Sequence, residues 1–176
     1  MKIGSTRKKI EAVLDTYRSR LDTIPDDLFN VTPADGGWSY AEVYSHILQS
    51  NIGSGVAIEK CTLNSCVPTS KGLSLLGLLV LSFGRLPPVK VKVPLAIAAK
   101  IPVKNMSKEE TRNMLIKCRK KIDEVTPLIR DASPHRRVKH QRFGMLNAEQ
   151  WLKFILIHSK HHLKQLDRVE KKLQSR

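Results

Sequence analysis

The chain lacks an apolar stretch of the roughly 20 residues that a membrane-spanning helix requires. Its most apolar run, "GLSLLGLLVLSFG" from Gly72 to Gly84, has 13 residues. The N-terminal "MKIGSTRKKIEAV" has neither the apolar centre nor the cleavage site of a signal peptide, so a cytoplasmic location is expected. Cysteine is scarce: Cys61, Cys66 and Cys118 are odd in number and irregularly spaced, and no further Cys or His pair beside "CTLNSC" completes a zinc site. Free thiols in a reducing compartment are the expected state. Aromatic residues make up only 5% and are not interleaved with the basic stretches, and no helix-turn-helix or finger spacing occurs. Sequence-specific nucleic-acid binding is therefore not expected. The absence of HExxH excludes a metalloprotease of that type, and the Glu-x-x-His pairs of di-iron bundles are missing. No Ser-His-Asp or Cys-His arrangement can be assembled, and no internal repeat or low-complexity segment is visible.

What the chain does have is 176 residues, 41% apolar content and a formal net charge of +15, enough for one domain over residues 1–176 with one core. The Lys and Arg cluster at 7–9, 117–121, 136–142 and from Lys160 to the end. Such a surface attracts nucleic acid or anionic lipid, or simply keeps the protein soluble; the solvated exterior is the favoured reading.

Four segments carry helical periodicity. Ile10, Leu14, Tyr17, Leu21 and Ile24 repeat at spacings of 4, 3, 4 and 3, which predicts a helix from about Thr6 to Leu21. Ser39 and Glu42 in "SYAE" form a capping box that opens a second helix, expected to end near Lys60. Ser107 and Glu110 open a third, with Met114, Leu115, Cys118, Ile122, Val125 and Ile129 as its buried stripe. Asn147 and Gln150 open a fourth, running to about Leu173. Before it, "SPHRRVKHQRFG" reads as a basic connector of two short extended pieces closed by Gly144, with His135 and His140 in solvent. Four amphipathic helices with one long connection make an all-α four-helix bundle.

The long connection contains a Leu/Pro-rich insert at about 68–102. Its Leu-rich half suits a short helix across one end of the bundle, and its four prolines from Arg85 to Pro102 preclude regular helix. A membrane-surface or dimer contact is the alternative, with Arg85, Lys90 and Lys92 placed to meet anionic lipid.

The fourth helix places histidines where a seam should be apolar. Trp151, Ile155, His158, His162, Gln165 and Val169 are spaced 4, 3, 4, 3 and 4, so His158 and His162 face inward one turn apart. Side chains four apart on a helix lie about 5–6 Å from each other at Cβ, close enough to share one ion. His46 lies on or beside the apolar face of the second helix. Three imidazoles suit zinc, nickel or iron and leave coordination positions open, a site that lowers the pKa of a water or thiol. Around them, His161 lies about 100° round the helix and is expected at the surface or behind a ligand. Glu42 either orients His46 or serves the cap. Gln165 either bonds a ligand or is a polar seam residue. Trp38 is expected to pack as a hydrophobic staple, and Cys118 as a core residue rather than a nucleophile.

"GGWSYAEVYSHILQSN", followed about 110 residues later by "HSKHHLKQ", resembles the DinB-like (YfiT-like) superfamily of metal-dependent proteins. The resemblance spans nearly the whole chain and is specific in the two histidine motifs. It implies an up-and-down four-helix bundle with a long crossover between the second and third helices. It puts the three metal ligands on His46, His158 and His162, and implies a homodimer. Characterised relatives include thiol S-transferases and a thiol-dependent maleylpyruvate isomerase, so a small-molecule thiol or other small substrate is the implied partner. Expectations from three classes follow. The first is a metal-dependent thiol S-transferase or hydrolase. The second is a non-catalytic bundle with a structural or vestigial metal, acting through its basic surface. The third makes 72–83 a membrane-surface anchor.

Overall fold

The computed structural model describes residues 3–87, 103 and 105–174. Helix α1 spans Ile3–Thr23 and buries Ile10, Leu14, Tyr17 and Leu21 on one stripe; Pro25 then opens the single turn α2, Asp26–Phe29. Helix α3 spans Tyr40–Thr62 behind the expected capping box, in which Ser39 Oγ accepts from Glu42 N and Glu42 Oε2 accepts from Ser39 N at 2.8 Å. Helix α4, Leu75–Phe83, is capped by Ser74 and ends at Gly84 in the left-handed region. Helix α5, Lys108–Val125, starts at the Ser107–Glu110 box. The periodic stripe extended to Ile129, but α5 stops earlier because Pro127 has no N–H and clashes with the preceding turn. Ile129 is nonetheless buried, carried by the 3-10 turn Pro127–Asp131.

The basic connector folds into a hairpin of two short strands, β1 (Val138–His140) and β2 (Gly144–Leu146), paired antiparallel with Val138 opposite Leu146. Helix α6, Ala148–Gln174, then begins at a reciprocal cap: Gln150 N donates to Asn147 Oδ1 at 2.9 Å and Asn147 N to Gln150 Oε1 at 3.0 Å.

The long helices α1, α3, α5 and α6 form the bundle, and α1 and α3 each pack against both α5 and α6. Arg20 of α1 pairs with Asp167 and Glu170 near the end of α6, so those two helices run the same way. Arg7 pairs with Asp123 and Arg112 with Asp22, which sets α5 antiparallel to α1. Contacts of Asn51 with Ser159 and of Cys61 with Leu146 set α3 antiparallel to α6. Helices α3 and α5 are therefore parallel, and the crossover between them has to return the chain along the bundle. α1 and α3 meet through side chains: Tyr17 and Tyr44 cross edge to face at 5.5 Å, and Tyr44 Oη donates to the Tyr17 carbonyl at 2.8 Å. Burial holds the Tyr17 phenol well above its ordinary pKa, so it stays a donor, to the Ser159 carbonyl at 2.8 Å.

Of the Leu/Pro-rich insert, α4 covers one end of the bundle and packs on α6. The Pro-rich part, with Lys90 and Lys92, lies outside the described residues. Among the described residues no helix is long and apolar enough to cross a membrane. The insert is fastened to the hairpin: Ser74 N donates to the Phe143 carbonyl and Met145 N to the Gly72 carbonyl, both at 2.9 Å. Gly144 has φ +83°, and a Cβ there would lie 2.5 Å from Ser74 N and 2.6 Å from the Gly72 carbonyl oxygen. Only glycine fits this close approach. Gly144→Ala should cost about 2 kcal/mol or more, from strain at positive φ plus backbone collision. Urea unfolding of the variant checks this; stability within a few tenths of wild type would show that the insert is not held as described.

Candidate metal centre

Three imidazoles meet inside the bundle, one from α3 and two from α6. The Ser39–Glu42 cap fixes where α3 begins and so delivers His46 at its second turn; the Asn147–Gln150 cap does the same for His158 and His162 in the middle of α6. The ring centroids of His46 lie 5.3 Å from His158 and 4.7 Å from His162, and the α6 pair are 4.5 Å apart. One nitrogen from each ring falls within 4.8 Å of the other two. His158 Nε2 and His162 Nε2 are only 3.0 Å apart. Two imidazole nitrogens on one tetrahedral ion, each at about 2.1 Å, would be separated by roughly 3.4 Å, so a small side-chain adjustment admits an ion.

The protonation states suit ligation. His158 is 9% exposed and His162 6%. Burial pushes both rings well below the ordinary histidine pKa, with the neighbouring imidazoles adding to the effect. Burial, helped by His161, lowers His46 to about 4. All three are neutral near pH 7 and keep a lone pair each. Gln165 orients one of them: its Oε1 lies 2.7 Å from His162 Nδ1. An amide oxygen only accepts, so Nδ1 carries the proton and the lone pair of Nε2 points at the shared centre. His158 Nδ1 is buried with no hydrogen-bond partner. The donor set thus fits a borderline divalent transition ion, and no carboxylate joins the cluster among the described residues.

The surroundings resolve several sequence readings. Glu42 serves the cap, through Ser39 N. Gln165 is the partner of His162. His161 is half-buried, with its ring 5.2 Å from that of His162 and outside the converging trio. Cys118 is buried in the core, where its thiol is pushed up to about 12, and Cys61 and Cys66 are free thiols. Trp38 does more than close the helix start. Its indole stacks over His162 at 6.4 Å and 12° and lies 5.0 Å from His46, so it roofs two of the three imidazoles.

His140 corrects the expectation of a solvated connector. His135 is exposed, but the hairpin folds the His140 ring flat against Phe143 at 4.3 Å and edge-on to Phe154 at 4.7 Å. Its Nδ1 accepts from the backbone N–H of Arg142 and of Phe143, both at 3.2 Å, and burial pushes its pKa down to about 4. Phe154 in turn stacks on His158 at 4.9 Å, so an aromatic chain joins the hairpin to the centre. The scarcity of aromatics was the available signal: Phe143, Trp151 and Phe154 fall close together in a chain with few.

The four-helix bundle is shared with known proteins. The chain matches the DinB superfamily over residues 9–166 and belongs to that superfamily. Among solved structures it is similar to TT2238, described as a four-helix bundle protein, at 18% identity and TM-score 0.61 over 95% of this chain and 99% of that one. It is also similar to YfiT from Bacillus subtilis, described as "a probable metal-dependent hydrolase with an unusual four-helix bundle topology". That likeness has 15% identity and TM-score 0.65 over 98% of this chain and 88% of that one. No curated protein matches the chain.

Buried neutral histidines make an acid-sensitive fold. Their folded-state pKa values lie below the ordinary value near 6.5, so the unfolded chain binds more protons than the folded one between about 4 and 6.5. Stability of the metal-free protein is therefore full above pH 6.5 and falls on acidification. The slope approaches about 1.4 kcal/mol per pH unit for each histidine involved, and the contributions of His46 and His140 level off below pH 4. Urea midpoints measured in chelator from neutral to mildly acidic pH check the sign; a flat profile across that window would show that the rings are already solvated.

Proposed function

We propose that His46, His158 and His162 hold one divalent transition-metal ion (zinc, nickel or iron), and that the protein is a metal-dependent enzyme acting on a small substrate as a hydrolase or a thiol S-transferase. The observation that carries this reading is the convergence of three neutral imidazoles from two helices, one of them locked by Gln165 with its Nε2 lone pair facing the others. A divalent ion held by neutral ligands keeps its full charge and acts as a Lewis acid, lowering the pKa of a water or thiol and polarising a carbonyl. The chain's own residues supply the rest. Gln165 fixes the His162 tautomer, Phe154 fixes the plane of the His158 ring, and Trp38 shields His46 and His162 from bulk water. The family membership and the description of YfiT as metal-dependent support the same reading.

A second reading has one observation in its favour: among the described residues the cluster contains no carboxylate that could serve as a general base, and a structural or vestigial metal site would not need one. Under it the metal stabilises the bundle and no turnover follows. The two readings separate when thiol-transfer and ester-hydrolysis activities are measured on metal-loaded protein and on His158→Ala/His162→Ala.

Mass-spectrometric metal analysis of tag-free protein should find about one divalent ion per chain, absent from His158→Ala/His162→Ala. Wild-type protein that takes up no metal even when zinc, nickel and iron are each offered would sink both readings. Gln165→Leu keeps all three ligands but removes the group that orients one of them. It should weaken metal affinity about 10–100-fold, read by competition with a chromogenic chelator, while circular dichroism stays that of wild type.

A further inference from the structure

The α4 end of the molecule carries a combination of surfaces that the metal centre does not use. Helix α4 buries Gly77, Val80 and Leu81 and turns its opposite face outward. Leu75 is 76% exposed, Leu78 53%, Leu79 45% and Phe83 70%. These positions recur at spacings of three and four, so they form one continuous apolar stripe along the helix. Val67, on the approach to the helix, is also exposed.

The segments that carry this stripe and hold it in place bear charge of one sign. Residues 60–108 contain no Asp or Glu, and neither do residues 132–148. Residues 68–74 of the first segment pack on the second. Pro68 bridges Arg136 and Leu73 bridges Gly144, Ser74 Oγ donates to the Arg142 carbonyl at 2.9 Å, and the Arg137 guanidinium donates to the Lys71 carbonyl at 2.6 Å. Lys71, Arg85, Arg136, Arg137, Lys139 and Arg142 are thereby gathered at the end that displays α4. Among the described residues none of these six is paired with a carboxylate, whereas Arg7, Arg20, Arg112 and Arg119 on the bundle's flanks all are. One acid, Glu149 at the start of α6, lines a pocket together with Leu78, Leu81 and Lys153.

We propose that the α4 end docks this protein on an anionic lipid surface, with Leu75, Leu78, Leu79 and Phe83 entering the headgroup–acyl boundary and the unpaired cations meeting lipid phosphates and carboxylates. An interfacial helix needs an apolar face with cations at its border, and α4 with its surroundings has both. Two copies of this chain are a poor match to each other here, because a two-fold contact through α4 would set the same cations face to face. The homodimer implied by the family resemblance would have to use another surface. A nucleic acid would engage the cations but leave the leucines in water.

Flotation of the full chain with phosphatidylcholine vesicles, with and without phosphatidylserine, tests this. Wild type should float only with the serine-containing vesicles and be released by high salt. Leu75→Asp/Phe83→Asp changes two exposed side chains and should reduce the bound fraction at least tenfold. Lys71→Glu/Arg85→Glu should reduce it without removing any apolar group. His158→Ala/His162→Ala should bind vesicles like wild type, which separates this surface from the metal centre. Failure of wild type to float, or flotation retained by the Leu75/Phe83 variant, would overturn the proposal. So would self-association in sedimentation that the same variant abolishes while vesicles are ignored. Binding to RNA that both surface variants retain, without vesicle binding, would overturn it as well. Circular dichroism and metal content unchanged from wild type confirm that each surface variant is folded.

Discussion

The structure depends on keeping three imidazoles neutral in its interior. Burying polar rings costs stability unless each finds a partner, and here the rings are largely one another's partners. The arrangement is tightly determined. Gln165 Oε1 forces the proton of His162 onto Nδ1, and His162 Nε2 is then an acceptor 3.0 Å from His158 Nε2. Without an ion, His158 must donate from Nε2, and its Nδ1 keeps a buried lone pair with nothing to bind. A core evolved for packing alone would place leucine at these positions.

The neighbouring contacts hold that arrangement in register. Ser159, next to His158, is gripped from two sides: its carbonyl accepts from Tyr17 Oη and its hydroxyl accepts from Asn51 Nδ2 at 2.9 Å. Helices α1, α3 and α6 are thus pinned at one level, beside the imidazoles. Tyr44 repeats the device by bonding the Tyr17 carbonyl. A buried hydrogen bond contributes only about 1 kcal/mol net, but leaving it unmade costs more. The effect of these bonds is to penalise any slip of one helix along another, and a slip of one turn, about 5.4 Å, would separate His46 from the α6 pair.

Much of this was legible in the sequence because it follows from periodicity and caps, which are local. The helix starts at Ser39, Ser107 and Asn147 need only residues three positions apart, and the inward direction of His158 and His162 needs only the spacing of α6. The roles of Trp38 and His140 were not legible, for a shared reason. Each is fixed by a partner on a separate element: Trp38 by His162, which is 124 residues away in sequence, and His140 by Phe154 across the hairpin-to-helix junction. A basic, histidine-bearing connector looks solvated until the hairpin turns its ring onto the aromatic cluster. The outward face of α4 was hidden differently. Nothing in "LLGLLVLSF" says which leucines pack; Gly77 decides it, because its bare backbone lies against Phe143 and so orients the rest of the helix.

The net charge of +15 also resolves into a pattern once the fold is known. On the flanks, cations of α1 and α5 are matched by acids: Arg119 reaches both Glu11 and Asp15, and Arg112 reaches Asp22. Exposed pairs of this kind contribute little to stability, but they cancel the field locally. Part of the excess lies where acids are missing from the sequence, at the hairpin and α4. Around the imidazoles, the partly exposed groups are Trp38, His46, His161 and Gln165, so solvent approaches the centre on the side of α6 that carries its later turns. Helix α4 sits instead against the first turns of that helix, near Gln150 and Lys153, with its apolar stripe turned outward. A small molecule reaching the centre and a surface engaging α4 would consequently not compete for the same face, and the long helix between them keeps their separation fixed.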